Sequence, residues 1–248
     1  MAIVNRKDIS TSGFDEDALK TSTPGEQIIN FGDLTTTGDV AAGIFASANN
    51  VFISNFGNIE TFGRGAPGIL VQGDDAHIDN FGLIVAHGDH YPAADSRHGF
   101  SDGITVDGDR FYIANHGSIQ TKDQATSAMF GLGADGTIVN FGRVTSTSAF
   151  FGASVLFIIG DRSHVINAGQ IAMSGQFDGA LAVQGQDTSA LNSGQIVITG
   201  VGGVGIHGNS GFDTLTNKGV ITTNADESSG ILAQLAQIRE SHLGKSMA

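Results

Sequence analysis

The chain has 248 residues with no Cys and no Trp, and its 25 acidic residues outnumber the 12 basic ones. The lack of Cys excludes disulfides and thiolate metal sites. The net charge of −13 argues against a nucleic-acid or anionic-membrane partner, since phosphates are bound by Lys and Arg. No apolar run of about 18 residues occurs, so we expect no membrane span. No signal peptide opens the chain, which leaves the cytoplasm, secretion with the leader removed, or export by another signal.

Residues 1–26 precede the first clear repeat and are predicted to form an N-terminal cap. Ser12 and Asp15 have the spacing of a weak helix capping box, close to the apolar Phe14, Ala18 and Leu19. A cap is expected here because the open end of a solenoid exposes unpaired strand edges.

Residues 27–231 contain one motif, Asn-x-Gly-x-(Leu/Ile/Val), eight times, at spacings of 25, 25, 35, 25, 27, 25 and 25. The asparagines are Asn30, Asn55, Asn80, Asn115, Asn140, Asn167, Asn192 and Asn217. Apolar residues recur two before, four after and fourteen after the Asn, and they alternate with polar residues as in strands. The pattern predicts an all-β fold, a single-stranded right-handed parallel β-helix (solenoid) of about eight coils.

The motif residues have structural explanations. An inward Asn at a bend can donate and accept hydrogen bonds along the stack, and the glycine is expected to supply a positive φ. The residue after the Asn is aromatic in five consecutive repeats, which predicts an aromatic column. Core packing, a subunit contact and a sugar-stacking platform are the alternatives for this column. Its members are Phe31, Phe56, Phe81, His116 and Phe141.

The third repeat holds ten extra residues, which predicts an inserted loop at 86–102. Long loops on rigid scaffolds often carry functional sites, and histidines can transfer protons near neutral pH. The candidate catalytic residues are His87, His90, Tyr91, His98 and Asp102. The candidate substrate-binding cations are Arg64, Arg97 and Lys122, which lie on one side of three consecutive coils. A solvated loop of mutually paired charges and a metal site are the alternatives. No cofactor and no metal are predicted.

Acidic turns recur at a second place in the repeat. Gly73-Asp74-Asp75 and Gly108-Asp109 are examples. Asp and Gly are ordinary turn residues, and calcium is the alternative because it prefers carboxylate and carbonyl oxygens.

Two further features concern the last strand of each coil and the C-terminus. Alternation turns an apolar stripe outward, which predicts a homo-oligomer, most simply a closed cyclic one. The stripe consists of Phe45, Leu70, Phe130, Val155, Phe157 and Leu232. Residues 232–248 are predicted to be a capping helix, over 232–243, and a tail, because Leu232, Leu235, Ile238 and Leu243 have helical spacing.

The repeats resemble those of bacterial autotransporter passengers and large surface adhesins, whose fold is a right-handed β-helix. Asn55-Phe-Gly-Asn-Ile59 and Gly68-Ile-Leu-Val-Gln-Gly73 carry this resemblance, which covers about residues 27–232. The fold is shared with pectate-lyase-like enzymes, although none of their active-site motifs is found here. The resemblance implies lyase or epimerase chemistry beside a carboxylate, on a carbohydrate or other small polar substrate. The alternative is a non-catalytic structural or adhesive surface module.

Overall fold

The computed structural model describes residues 2–89, 91, 100–123, 127–147, 154–175, 179–210 and 213–233. The regular structure within these ranges is entirely β-strand, arranged in three parallel sheets of nine strands each. The chain visits the three sheets in turn, so every three consecutive strands complete one coil. The predicted all-β parallel solenoid is confirmed.

The first sheet contains β1 (Ala2–Asn5), β4 (Gln27–Asn30), β7 (Phe52–Asn55), β10 (His77–Asn80), β13 (Tyr112–Asn115), β16 (Thr137–Asn140), β19 (His164–Asn167), β22 (Ser189–Asn192) and β25 (Thr214–Asn217). The second contains β2 (Ile9–Thr11), β5 (Leu34–Thr36), β8 (Asn58–Thr61), β11 (Leu83–Ala86), β14 (Ser118–Thr121), β17 (Arg143–Ser146), β20 (Gln170–Met173), β23 (Gln195–Ile198) and β26 (Val220–Thr223). The third contains β3 (Leu19–Thr21), β6 (Ile44–Ala46), β9 (Ile69–Gln72), β12 (Ile104–Asp107), β15 (Met129–Leu132), β18 (Ser154–Ile159), β21 (Gly179–Gln184), β24 (Val204–Gly208) and β27 (Ser229–Ala233).

The core is a stack of apolar side chains, and each sheet contributes at least one of them in every coil from β4 to β24. In the coil that begins with β7, these are Ile53, Ile59 and Ile69, which are 0–1% exposed. Each is paired in register with the equivalent residue of the next coil, so isoleucine stacks on isoleucine. Full burial of such a side chain contributes roughly 1.5–3 kcal/mol, which makes these columns the main source of stability.

The motif asparagines form a continuous ladder at the first corner, between the first and second sheets. The Nδ2 of Asn30 donates to Asn55 Oδ1 at 2.9 Å, and Asn55 donates in the same way to Asn80 at 2.8 Å. From Asn30 to Asn192, each Nδ2 also donates to the carbonyl oxygen of the motif glycine two residues later, as from Asn55 to Gly57. The predicted structural role of the asparagines is confirmed.

The motif glycine is required for a different physical reason from the positive φ that was predicted. None of these glycines adopts a positive φ. A Cβ added to Gly57 would instead lie 2.1 Å from the carbonyl oxygen of Gly32 in the preceding coil. The glycine is therefore required because two backbones approach closely at this corner.

The N-terminal segment, predicted to be a cap, contains a further coil. Residues 2–21 supply β1, β2 and β3, and β1 pairs with β4 in register. Asn5 occupies the ladder and donates to Asn30 Oδ1 at 2.8 Å. The repeat was missed because Lys7 replaces the motif glycine. The weak helix signal at Ser12 was wrong, since this stretch is strand and turn.

The repeat of 27 residues carries its two additional residues before its third strand. Met129 pairs with Leu156, so Leu156 fills the core position that simple counting assigns to Ser154. The insertion of the longer repeat lies between β11 and β12, at the same corner.

The outward stripe of the third sheet is less exposed than predicted. Val155 belongs to the central core, and Phe45 and Leu70 are buried in a small cluster with Ala42. Phe130 and Phe157 are half-buried, with ring centroids 5.6 Å apart. Leu232, at the predicted start of the C-terminal helix, lies in β27, and residues 234–248 lie outside the described residues.

Candidate functional site

The residues that follow the second sheet form a column at the second corner, between the second and third sheets. Phe62, His87 and Lys122 each lie seven residues after a ladder asparagine. The backbone N–H of each donates to the coil before it, to Thr36, Thr61 and Ala86 respectively. The Phe62 and His87 rings are stacked, with centroids 4.5 Å apart. Register alone therefore brings two of the predicted site residues, His87 and Lys122, to one corner.

His87 is held between two carboxylates that the sequence analysis did not assign. Its Nε2 lies 3.0 Å from Glu60 Oε1, and its Nδ1 lies 2.9 Å from Asp123 Oδ2. Carboxylates accept hydrogen bonds, so both contacts form together when each ring nitrogen carries a hydrogen. Glu60 is on β8 and Asp123 follows β14, so His87 links three successive coils.

A shallow cavity of about 330 Å³ lies beside this histidine, on the outer surface of the second sheet. Glu60, Val85, Gln120 and Lys122 contribute to its lining. A carboxylate held by an imidazole, with an ammonium group across the same cavity, could bind a polar substrate and accept a proton from it.

The predicted cation Arg64 lies in the next column of the same corner, and it is already paired. Its guanidinium contacts Asp39 Oδ2 through Nη2 at 2.5 Å and Nε at 3.1 Å. The hydrogen bond from Arg64 lowers the pKa of the Asp39 carboxyl below its ordinary value. The guanidinium carbon also lies 5.4 Å from the ring centroid of Tyr91. Arg64 and Tyr91 therefore contact each other.

Asp102, a predicted catalytic residue, is buried within the coil. It is 1% exposed and accepts hydrogen bonds from the Ser127 backbone N–H at 2.7 Å and from Thr105 Oγ1 at 2.8 Å. The Ser127 bond joins two coils, as Asp17 does by accepting from the Ala42 N–H, whereas the Thr105 bond lies within one coil. His90, Arg97 and His98, the remaining predicted site residues, lie outside the described residues.

The predicted aromatic column exists at the first corner. Successive ring centroids, from Phe31 through Phe56, Phe81 and His116 to Phe141, lie 4.8–5.1 Å apart with interplanar angles of 6–12°. The guanidinium of Arg6 covers the free face of Phe31 at 4.8 Å. The four phenylalanines are 44–49% exposed, so the column is a surface feature.

A second ionisable cluster on the first sheet was also missed. Asp79 Oδ2 lies 3.1 Å from His77 Nε2, and Asp79 Oδ1 lies 3.5 Å from His116 Nε2. Tyr112 stacks on His77, and its pKa is raised by burial and, to a lesser extent, by the charge of Asp79. Side chains at alternate positions of neighbouring strands lie on one face of the sheet. The cluster could therefore be predicted from the sequence once the register of the strands is known.

The acidic turns at the third corner, between the third and first sheets, are built by pairing along the stack. Asp74 Oδ1 accepts from the backbone N–H of Asp109, and Asp109 Oδ1 accepts from that of Ala134. Asp75 and Arg110, both with positive φ, form an ion pair with Nε to Oδ1 at 2.7 Å. Among the described residues, no group of three or more His, Asp or Glu side chains is placed so that it could hold a metal ion.

The outer surface of the second sheet connects the two corners described above. We call it the second-sheet face, formed by the side chains three and five residues after each ladder asparagine. It lies between the aromatic column and the corner of His87 and Lys122. Besides the cavity near Glu60, it borders a groove of about 630 Å³ where the aromatic column ends at Phe141.

In the part of the chain that the structure covers, no helix has the length and apolar character needed to cross a membrane.

Comparisons with known proteins agree with this architecture. No curated protein was found to match the chain. The model of one family, described as the BigA third pectate lyase-like domain, matches residues 1–150, which is more than half of the sequence. The chain therefore belongs to the BigA third pectate lyase-like domain family.

Proposed function

We propose that this chain is a non-catalytic, adhesive β-solenoid module that binds carbohydrate across its second-sheet face. One observation carries the proposal. The ionisable candidates that the structure describes at the second corner largely have partners within the chain. The adjoining second-sheet face, in contrast, has exposed amide groups and is bordered by exposed aromatic rings.

The pairing argues against acid–base chemistry at this site. His87 bonds through both ring nitrogens, Arg64 pairs with Asp39, and Asp102 serves as a buried acceptor for other coils. A general base needs a free acceptor within reach of a substrate proton, and a carboxylate-binding arginine needs free donors. His87 and Asp102 would each have to give up an existing partner first, and the charge of Arg64 is already balanced by Asp39.

The exposed groups support binding. Asn58, Gln170 and Gln195 present exposed amide side chains from the second sheet, which can donate to and accept from sugar hydroxyls. Exposed aromatic rings border the same face. Coils repeat at about 4.8 Å, so an extended ligand along the axis meets equivalent positions at regular intervals.

The second candidate function is an acid–base enzyme, and the contact of His87 with Glu60 favours it. Glu60 and Lys122 line the same cavity, so Lys122 could pair with a substrate carboxylate while Glu60 accepts the adjacent proton. This is the lyase or epimerase chemistry expected beside a carboxylate.

One experiment separates the two functions. The intact chain is incubated with polygalacturonate, retention is measured by co-sedimentation, and the unsaturated product of a lyase is followed by its ultraviolet absorbance. Retention without product supports the binding module. Product that disappears in Glu60→Gln, or in a His90→Ala/His98→Ala double variant, would establish the enzyme instead. If the chain shows no retention and forms no product, the proposed function is wrong.

A further inference from the structure

The aromatic column has one open end. Each ring between Phe31 and Phe141 has a ring on both sides, and Arg6 covers the outer face of Phe31. Among the residues that the structure describes, Phe141 has a ring neighbour, His116, on one side only. It is also the most exposed phenylalanine of the column, at 49%.

The open face of Phe141 looks onto positions that carry no ring. Ala168 and Ser193 follow Phe141 in the column, and their backbone N–H groups donate to Asn140 and Asn167 in the same register. Rings within the column are about 5 Å apart. The small side chain of Ala168 thus leaves a space into which a ligand ring can stack on Phe141.

Polar side chains surround this space without partners of their own. Arg143, Gln170 and Gln195 line the groove of about 630 Å³. None of these three side chains forms a hydrogen bond or ion pair with another described residue. The other arginines in the described ranges are engaged: Arg64, Arg110 and Arg162 pair with aspartates, and Arg6 covers Phe31.

The local charge selects an anionic ligand. The stretches 140–147, 167–175, 192–200 and 217–224, which contain the ladder asparagines and second-sheet strands of this region, include no Asp or Glu. The equivalent positions near the N-terminus carry Asp8, Asp33 and Glu60. This part of the face is therefore cationic on a chain of net charge −13.

We infer that the groove beside Phe141 is the primary subsite of the proposed carbohydrate-binding face, and that it holds a uronic-acid residue. The C–H face of the sugar ring packs on the open face of Phe141, where the ring's negative quadrupole attracts polarised hydrogens. Arg143 pairs with the sugar carboxylate, and Gln170 and Gln195 bond to its hydroxyls. This inference rests on the proposed function and adds its ligand class and its site.

The test uses the absence of Trp from the chain. Phe141→Trp places a single indole in the subsite, and its fluorescence is titrated with a short oligogalacturonate and with the matched neutral oligogalactose. A saturable change is expected with the acidic sugar, and Arg143→Gln in this background should remove the preference for it. Phe56→Trp is the control, because rings cover both faces of Phe56 and no change is expected there.

A second variant tests the space itself in the wild-type background. Ala168→Phe extends the column over Phe141, so the fold is kept while the subsite is filled. Calorimetry should show oligogalacturonate binding weakened by about tenfold, which is the upper end of the range for one aromatic stacking contact. If the wild type binds and Ala168→Phe binds equally well, the subsite is wrong and the binding module stands. If the wild type binds neither sugar, the proposed function is wrong and the subsite falls with it.

Discussion

At the scale of single residues, hydrogen-bonding capacity separates the side chains that hold the coils together from those open to a ligand. Asn115 accepts from Asn80 at 2.8 Å and donates to Asn140 at 2.9 Å, so its amide is committed to the ladder. The amides of Gln170 and Gln195 have the same chemistry, and neither forms a hydrogen bond with another described residue. A buried polar group that loses its partner costs about 1–3 kcal/mol, so the ladder amides cannot serve a ligand as well.

His207 gives a prediction at this scale. Its Nε2 is buried with no hydrogen-bond partner among the described residues, and burial lowers its pKa below the ordinary value, partly opposed by Asp213. As pH falls below about 6.5, the unfolded chain is protonated first, so this histidine's contribution to folded-state stability is present at higher pH and lost on acidification.

We expect the melting temperature of the wild type to fall more steeply between about pH 7.5 and about pH 5.5 than that of His207→Gln or His207→Leu. Differential scanning calorimetry across this range measures the difference. Parallel pH profiles for all three proteins would contradict the assignment.

At the scale of elements, each corner of the coil is built differently. The first corner uses the asparagine ladder and a glycine, the second uses the His87 contacts, and the third alternates acidic and basic residues such as Asp75 and Arg110. The first corner tolerates little change, because the backbones of successive coils are in contact there.

Gly57→Ala tests this corner. The new Cβ would meet the Gly32 carbonyl oxygen at 2.1 Å, and that oxygen belongs to a neighbouring backbone that cannot shift without disturbing the ladder. We expect a loss of about 3 kcal/mol or more in the free energy of unfolding, measured by urea denaturation.

Gly230→Ala is the matched control. Gly230 lies in β27, where the added Cβ has no atom of the described residues within 4 Å, and it has no positive φ. Its substitution should change stability by no more than about 1 kcal/mol. Equal effects at the two glycines would show that close coil packing does not explain the motif.

The elements also show what the sequence could reveal. Inward positions must be apolar in every coil, so residues such as Ile53 and Ile59 made the strands predictable. The coil of Asn5 was hidden by one substitution, Lys7. The corner shared by His87 and Lys122 follows from register, whereas the contacts of His87 with Glu60 and Asp123 depend on side-chain directions that periodicity does not supply.

At the scale of the whole molecule, the three outer faces differ in character. The second-sheet face is polar with aromatic borders, and the first sheet carries the pairs of Asp79 with His77 and His116. The third sheet presents the half-buried Phe130 and Phe157 rings, together with His207 and Leu232. This sheet is the apolar side of the rod.

Self-association through the third sheet remains a prediction. We expect multi-angle light scattering of the wild type to give the mass of a homo-oligomer, and Phe157→Ser to shift it toward the monomer. Phe52→Ser is the control, because Phe52 is 48% exposed on the first sheet, away from that contact. A monomeric wild type would remove the prediction.

The uniform register of the coils also determines how the molecule responds to mechanical load. Each coil bonds only to its two neighbours, so tension on one terminus is resisted by a single layer of strands and one ladder amide at a time. Detaching one coil of 25 residues shortens the rod by about 4.8 Å and releases roughly 85 Å of extended chain. Under tension applied at one terminus, the solenoid would lengthen in nearly equal steps, one coil at a time, and would dissipate mechanical work at each step.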